Sequence, residues 1–156
     1  MKAIETEYKK ILFRSRLEAR WAILFDALNL EWVYEPDCFL LSNNQKYTPD
    51  FYIPKFKLYV EVKPNCWWQN IEYHINRYRL FEADLLVLSD DYPDFRVNKL
   101  FHNHENKRLE SDVVFCPNIK YEPYFFSGND LGSAEDGFIQ DYQKELNIVK
   151  QHRFYK

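Results

Sequence analysis

The alternation of apolar and polar positions divides the chain into elements. In "RSRLEARWAILFDALNL", Leu17, Trp21, Leu24, Phe25 and Leu28 fall on one helical stripe at steps of four, three, one and three. Ser15 suits the N-cap and Asn29 suits the stop, so a helix is expected between them. Residues 1–13 read as a polar lead-in. "EWVYEP" reads as a short strand of aromatic and β-branched residues, ended by Pro36. "CFLLSNNQKYTPDFYIP" reads as a hairpin: apolar runs flank Ser42–Gln45, and asparagine tolerates the positive φ that tight turns need. After a second turn near Pro54-Lys55, "KLYVEVK" alternates as a strand does. Val60 and Val62 share one face; Tyr59, Glu61 and Lys63 share the other.

"WWQNIEYHINRYRLFEA" reads as a second helix, with Ile71, Ile75, Tyr78 and Leu80 or Phe81 as its buried stripe. "DLLVLSDD" is a nearly continuous apolar run, the mark of a strand covered on both faces. Strand, helix, strand over about thirty residues is a βαβ crossover, so these strands are expected to be parallel with a right-handed connection. Further on the pattern weakens. It suggests a short helix around Arg96–His102 followed by a polar loop, an edge strand in "DVVFCP", and a loop over "YEPYFFSGNDLGS". "AEDGFIQDYQKELNIVKQ" reads as an amphipathic helix with Ile139, Tyr142, Leu146 and Val149 on one side. The expected class is α/β, in a single domain over residues 1–156.

Composition narrows the picture. A hydrophobic share of 46% supports a packed core rather than disorder. With 3 glycines, no glycine-rich phosphate loop is available. Cys38, Cys66 and Cys116 are odd in number, far apart and never in a CxxC pair, which argues against a disulfide framework or a four-cysteine zinc site. Buried free thiols are the expectation. No apolar run of membrane-spanning length occurs, and "MKAIETEYKK" has no apolar leader. A soluble cytoplasmic protein with no membrane partner is expected, in a host cell's cytoplasm if a phage encodes it. The formal net charge of -3 argues against a protein that coats nucleic acid indiscriminately, but leaves room for a local basic face.

Candidate chemistry centres on two strands. Glu61 and Lys63 are two apart, so both project to the same face. Asp50 follows Pro49 on the preceding strand. If the strands are neighbours, Asp50 and Glu61 converge. Two adjacent carboxylates repel, and one must protonate unless a cation intervenes. Hard carboxylate oxygens suit Mg²⁺, with Mn²⁺ as a substitute. Lys63 beside such a pair can orient, or help deprotonate, a water aimed at phosphorus.

Each of these residues also has a plain structural use. Ser15-Arg16-Leu17-Glu18 is a capping-box pattern. Asp50 can start a turn, and Glu61 with Lys63 can form a solvent-facing ladder. Arg14, Arg16 and Arg20 either contact phosphates or form the solvated side of a helix. Trp67 and Trp68 either stack on bases or pack at a helix start. His102 and His104, in "FHNHEN", fall in the expected polar loop and receive no metal role. His74 and His152 read as surface residues.

"TPDF…VEVK", with Asp50, Glu61 and Lys63, resembles the PD-(D/E)XK nuclease superfamily. "FRSRLEARWAILFDAL", with Glu18, resembles the first helix of that superfamily's small phage-type and transposon-end members. The element order matches as well, over residues 13–90; residues 91–156 stand as an unassigned C-terminal elaboration. The resemblance implies a restriction-endonuclease-like mixed central sheet flanked by helices, and Mg²⁺-dependent cleavage of DNA. Asp50 and Glu61 would bind the metal, with the Val62 backbone carbonyl as a further ligand. Lys63 would serve the water, and Glu18 would complete the acidic cluster directly or through water. Arg77 or Arg79 would supply an extra polar residue. Arg14, Arg16, Arg20, Trp67, Trp68, Arg77 and Arg79 are candidate DNA contacts, and a homodimer would suit double-strand cutting. The expected function is therefore a metal-dependent DNA endonuclease of phage or mobile-element type. The alternatives are the nuclease subunit of a transposition, homing or junction-resolving complex, or a catalytically silent module that binds nucleic acid or protein.

Overall fold

The stripe of Leu17, Trp21, Leu24 and Phe25 winds into helix α1 (Arg16–Ala27). The Ser15 hydroxyl accepts the Glu18 backbone N–H at 3.2 Å, which satisfies a donor the first turn leaves open. At the other end Asn29 turns left-handed, with φ 54°. The Leu30 N–H then reaches the Phe25 carbonyl at 2.9 Å and the Asn29 N–H reaches that of Asp26 at 3.0 Å. This paired closure is the one asparagine or glycine permits. Both ends of α1 thus follow from residues visible in the sequence. These details come from a computed structural model that describes residues 3–64, 69–89, 99–103, 108–111, 114–116, 124–126 and 143–154.

The lead-in before α1 is not a plain polar segment. It folds as an antiparallel hairpin of β1 (Thr6–Tyr8) and β2 (Ile11–Phe13), with Tyr8 opposite Ile11. Lys9 and Lys10 form the two-residue turn with φ of 51° and 64°. Positive φ at both positions is the habit of a type I′ turn, which normally advertises itself as Asn-Gly or Asp-Gly. Here tertiary contacts hold it. Phe13 is fully buried, and the Tyr8 hydroxyl donates to Asp26 Oδ2 at 2.8 Å. Lys9 reaches the same oxygen at 2.9 Å, and the Trp32 indole N–H reaches Oδ1 at 3.2 Å.

The central sheet is mixed. In chain order its strands are β3 (Val33–Tyr34), β6 (Phe51–Ile53), β7 (Leu58–Lys63), β8 (Leu85–Ser89), β9 (Lys99–Asn103) and β10 (Arg108–Ser111). They lie side by side in the order β10-β9-β8-β7-β6-β3. The expected hairpin is present only in part: β4 (Phe39–Leu40) pairs with β5 (Lys46–Tyr47) in a small sheet of its own, while Phe51–Ile53, the rest of its second arm, join the central sheet as β6. A 3-10 turn over Pro54–Phe56, closed by left-handed Lys57, joins β6 to β7. Helix α2 (Ile71–Arg79) connects β7 to β8, and those two strands pair in parallel as the βαβ reading requires. The other pairs in the sheet are antiparallel.

Three expectations beyond β8 are corrected. The short helix around Arg96–His102 gives way to β9, which pairs with β8 so that Leu85 faces His102; residues 96–98 lie outside the described set. β10 occupies part of the expected polar loop. Within "YEPYFFSGNDLGS", Tyr124–Phe126 form β12, paired with β11 (Val114–Cys116) away from the main sheet. The reason for β9 is local: β8 pairs with β7 along one edge, and the backbone groups along its other edge require partners of their own. Helix α3 (Gln143–Gln151) agrees with the reading, with Leu146 and Val149 buried; Ile139 and Tyr142 lie outside the described residues. Cys38 is exposed rather than buried. Among the described residues no helix is long and apolar enough to cross a membrane.

Alternation along β7 builds two cores. Leu58, Val60 and Val62 enter one with α1 and α3, joined there by Phe51, Leu86 and Leu88. Tyr59 enters the other, where Tyr47, Tyr78, Phe81, Leu85 and Val87 meet. The continuous run in β8 is therefore covered on both faces, as its composition indicated.

Candidate functional site

β6 and β7 pair with Phe51 opposite Val60. One further step of the same register sets Asp50 opposite Glu61. Opposed positions in an antiparallel pair bring side chains together on one face, so sheet register delivers the convergence that the sequence only allowed. The place is also distinctive. Lys63 and Ser89 end the parallel pair β7–β8 side by side, and the carboxyl ends of parallel strands are where open α/β sheets bind ligands.

Three carboxylates are buried here: Asp50 at 3%, Glu61 at 3% and Glu18 at 7% exposure. Each is held by donors. Asp50 Oδ2 accepts the Val62 backbone N–H at 2.7 Å, and Oδ1 pairs with Arg14 at 2.7 Å. Glu61 Oε1 pairs with Lys63 Nζ at 2.5 Å, while Oε2 accepts the Tyr47 hydroxyl at 3.0 Å. Glu18 Oε1 accepts from the Ser15 hydroxyl at 2.7 Å, and Oε2 from the Tyr34 hydroxyl at 2.6 Å.

Glu18 therefore serves as a capping residue. It completes a cap on Ser15, through the hydroxyl rather than the backbone N–H, and its charge also falls on Asp50. Burial, then the charges of Glu61 and Glu18, push the Asp50 carboxyl well above the usual carboxylate range; Lys63 and the Val62 N–H oppose them. Buried carboxylates sharing one place repel, and the low local dielectric amplifies the cost. Lys63 is not directed into apolar surroundings: its side chain is 22% exposed and its ammonium lies on Glu61.

The arginines divide into separate roles. Arg14 is exposed, but its guanidinium is committed to Asp50 and, at 2.7 Å, to Glu35. Its backbone N–H donates to the Tyr34 hydroxyl at 3.0 Å, so Tyr34 links Arg14 to Glu18. Arg16 and Arg20 are half-buried rather than free on a solvated helix face. Arg77 does not reach the carboxylates. Its guanidinium covers the Tyr47 ring at 4.5 Å, and it donates to the Lys46 carbonyl at 3.2 Å. Arg79 is exposed. Trp67 and Trp68 lie outside the described residues.

Three site residues went unassigned in the sequence. Tyr34 and Tyr47 each donate a hydroxyl to an acidic residue. For Tyr47 the signal was proximity to Pro49-Asp50; for Tyr34 there was none. His74 is the third, and it is half-buried on α2 rather than a surface histidine. Burial and then the Lys63 charge lower its pKa, Glu61 raises it, and Arg77 lowers it further, so its ring lies within the field of the site.

Asp50 and Glu61 suit a hard divalent cation by donor chemistry. Both offer carboxylate oxygens, each oxygen keeps a lone pair beyond its present bond, and the cluster carries uncompensated negative charge that destabilises the Asp50 carboxylate. Among the described residues no group of three or more histidine, cysteine, aspartate or glutamate side chains is arranged to hold a metal ion. No protein-family model, curated protein or solved structure matches this chain.

Proposed function

We propose that this chain is a metal-dependent endonuclease that hydrolyses DNA phosphodiester bonds, on a restriction-endonuclease-like arrangement of its mixed sheet and helices. The observation that carries the reading is the meeting of Asp50, Glu61 and Lys63 at the carboxyl end of the β7–β8 pair, with Asp50 destabilised by its neighbours. A structural ion pair needs one carboxylate and one cation; it does not need a second buried carboxylate that raises the cost.

Asp50 and Glu61, with the Val62 carbonyl, would hold Mg²⁺ or Mn²⁺. When bound, the ion offsets charge on the phosphoryl oxygens and draws the phosphate to the acidic cluster. Glu18 adds negative charge at the edge of that position. Lys63, kept beside Glu61, donates a hydrogen bond that aims a water at phosphorus. The water would give up a proton to solvent as its oxygen forms the new bond to phosphorus; the P–O bond to the ester oxygen breaks, and solvent supplies the proton that this leaving oxygen takes.

A second reading follows from Arg14. Its guanidinium already pairs with Asp50, which offsets part of the cluster's charge without a metal, as a catalytically silent binding module would need. Cleavage of plasmid and oligonucleotide DNA with Mg²⁺, Mn²⁺ or EDTA separates the two. Metal-dependent cutting that EDTA stops, and that Lys63→Ala abolishes while DNA binding persists, supports the nuclease. Cutting by Lys63→Ala at the wild-type rate removes that mechanism, and DNA binding with no cutting supports the silent module. A phage or mobile-element setting, and a homodimer for double-strand cutting, remain part of the proposal.

A further inference from the structure

Tyr47 is 1% exposed, and its ring is held from several sides. Phe81 meets it edge-on at 5.1 Å, and Arg77 caps it at 4.5 Å. A phenylalanine would fill that space and keep those contacts. What tyrosine adds is one hydroxyl, and that hydroxyl donates to Glu61 Oε2 at 3.0 Å. Bringing a hydroxyl into a core costs stability unless it is bonded, so the group is retained for its partner.

We infer that Tyr47, braced by Arg77, is a positioning residue that aims Glu61. The hydroxyl occupies Oε2 and leaves Oε1 directed to Lys63. Arg77 stabilises the arrangement twice, by covering the ring and by tying α2 to the Lys46 carbonyl one residue away. Arg77 thereby serves the site through Tyr47 rather than through a phosphate. This inference deepens the nuclease reading and rests on it. Partners in such a supporting layer commonly change metal affinity or activity about 10–100-fold when removed.

The test is oligonucleotide cleavage by the full chain across Mg²⁺ concentration, for wild type and Tyr47→Phe. The half-saturating Mg²⁺ concentration should rise about tenfold, with the circular dichroism spectrum unchanged. A merely structural tyrosine would leave the Mg²⁺ requirement of the folded variant where it was, whatever the change in Tm; that result overturns the inference. If Tyr47→Phe does not fold, Arg77→Gln is read instead, with a rise of about threefold expected and no rise overturning it. If wild type cuts no DNA with either metal, the nuclease reading fails separately. Mn²⁺ calorimetry then decides: about tenfold weaker binding by Tyr47→Phe supports the positioning role, whereas equal affinity, or no Mn²⁺ binding by wild type, ends it.

Discussion

Strand β7 serves two different environments. On one side Leu58, Val60 and Val62 meet α1, α3 and Phe51 in a predominantly apolar core. On the other, Tyr59 lies among tyrosines and phenylalanines, and Glu61 and Lys63 follow at the end of the same face. The first side asks its residues for volume and apolar surface, which many side chains supply. The second asks for particular atoms: a phenol oxygen at Glu61 Oε2, a backbone N–H at Asp50 Oδ2 and an ammonium at Glu61 Oε1. Damage to the first side should therefore appear as lost stability, and damage to the second as lost chemistry in a folded chain.

The sharpest way to break that division is to alter one side and look for the other's signature. Phe51 is fully buried and packs against Phe25 edge-on at 5.4 Å. Phe51→Ala should cost about 3–5 kcal/mol, seen in urea or thermal unfolding. Cleavage per folded molecule should stay near wild type, and a large loss of activity without a loss of stability would erase the distinction. Lys63→Ala should do the reverse: a fall in cleavage of about 10²–10⁴-fold in a chain that still folds, seen in its circular dichroism spectrum.

Asp50 connects the two properties through pH. Its carboxyl lies well above the ordinary 3.8, chiefly through burial and then through Glu61 and Glu18. The folded chain therefore binds this proton more tightly than the unfolded chain. In EDTA, stability should rise as pH falls from the raised folded value toward 3.8, and fall as pH rises through that window. One proton contributes at most about 1.4 kcal/mol per pH unit. Thermal unfolding across mildly acidic to slightly alkaline pH checks the sign, and Asp50→Asn should flatten the slope. Saturating Mg²⁺ should oppose the trend, because the ion needs the ionised form. Smallest of all, Arg79→Ala removes an exposed charge from α2 and should change stability by less than about 0.5 kcal/mol. A larger effect in unfolding experiments would mean that α2 contributes more than the Arg77 brace.

Legibility in the sequence followed the strength of local signals. The run from Ser15 to Asn29 carried its stripe, its N-cap and its left-handed stop, and α1 matches it closely. The hairpin around Ser42–Gln45 and the β7–α2–β8 crossover were equally plain. The β1–β2 turn was not, because Lys9-Lys10 has no intrinsic preference for positive φ and is held by Phe13, Tyr8 and Asp26 instead. β9 and β12 were missed for a related reason: short strands are selected by their partners more than by their own residues. Asp50, Glu61 and Lys63 could be named in advance, but their tyrosine donors could not. A phenol in a core looks the same in sequence whether its hydroxyl serves a carboxylate or not.

By itself the sequence determined which segments could be helix or strand, which face of β7 would carry Glu61 and Lys63, and that an aspartate would sit beside a proline one strand away. Those properties depend on residues close together along the chain. Only the tertiary structure decided that Asp50 stands opposite Glu61, that Arg14 and Lys63 balance them, and that Tyr34 and Tyr47 hold the outer carboxylates. These are contacts between distant segments, selected when strand pairing and burial leave each polar group to find a donor or remain unsatisfied.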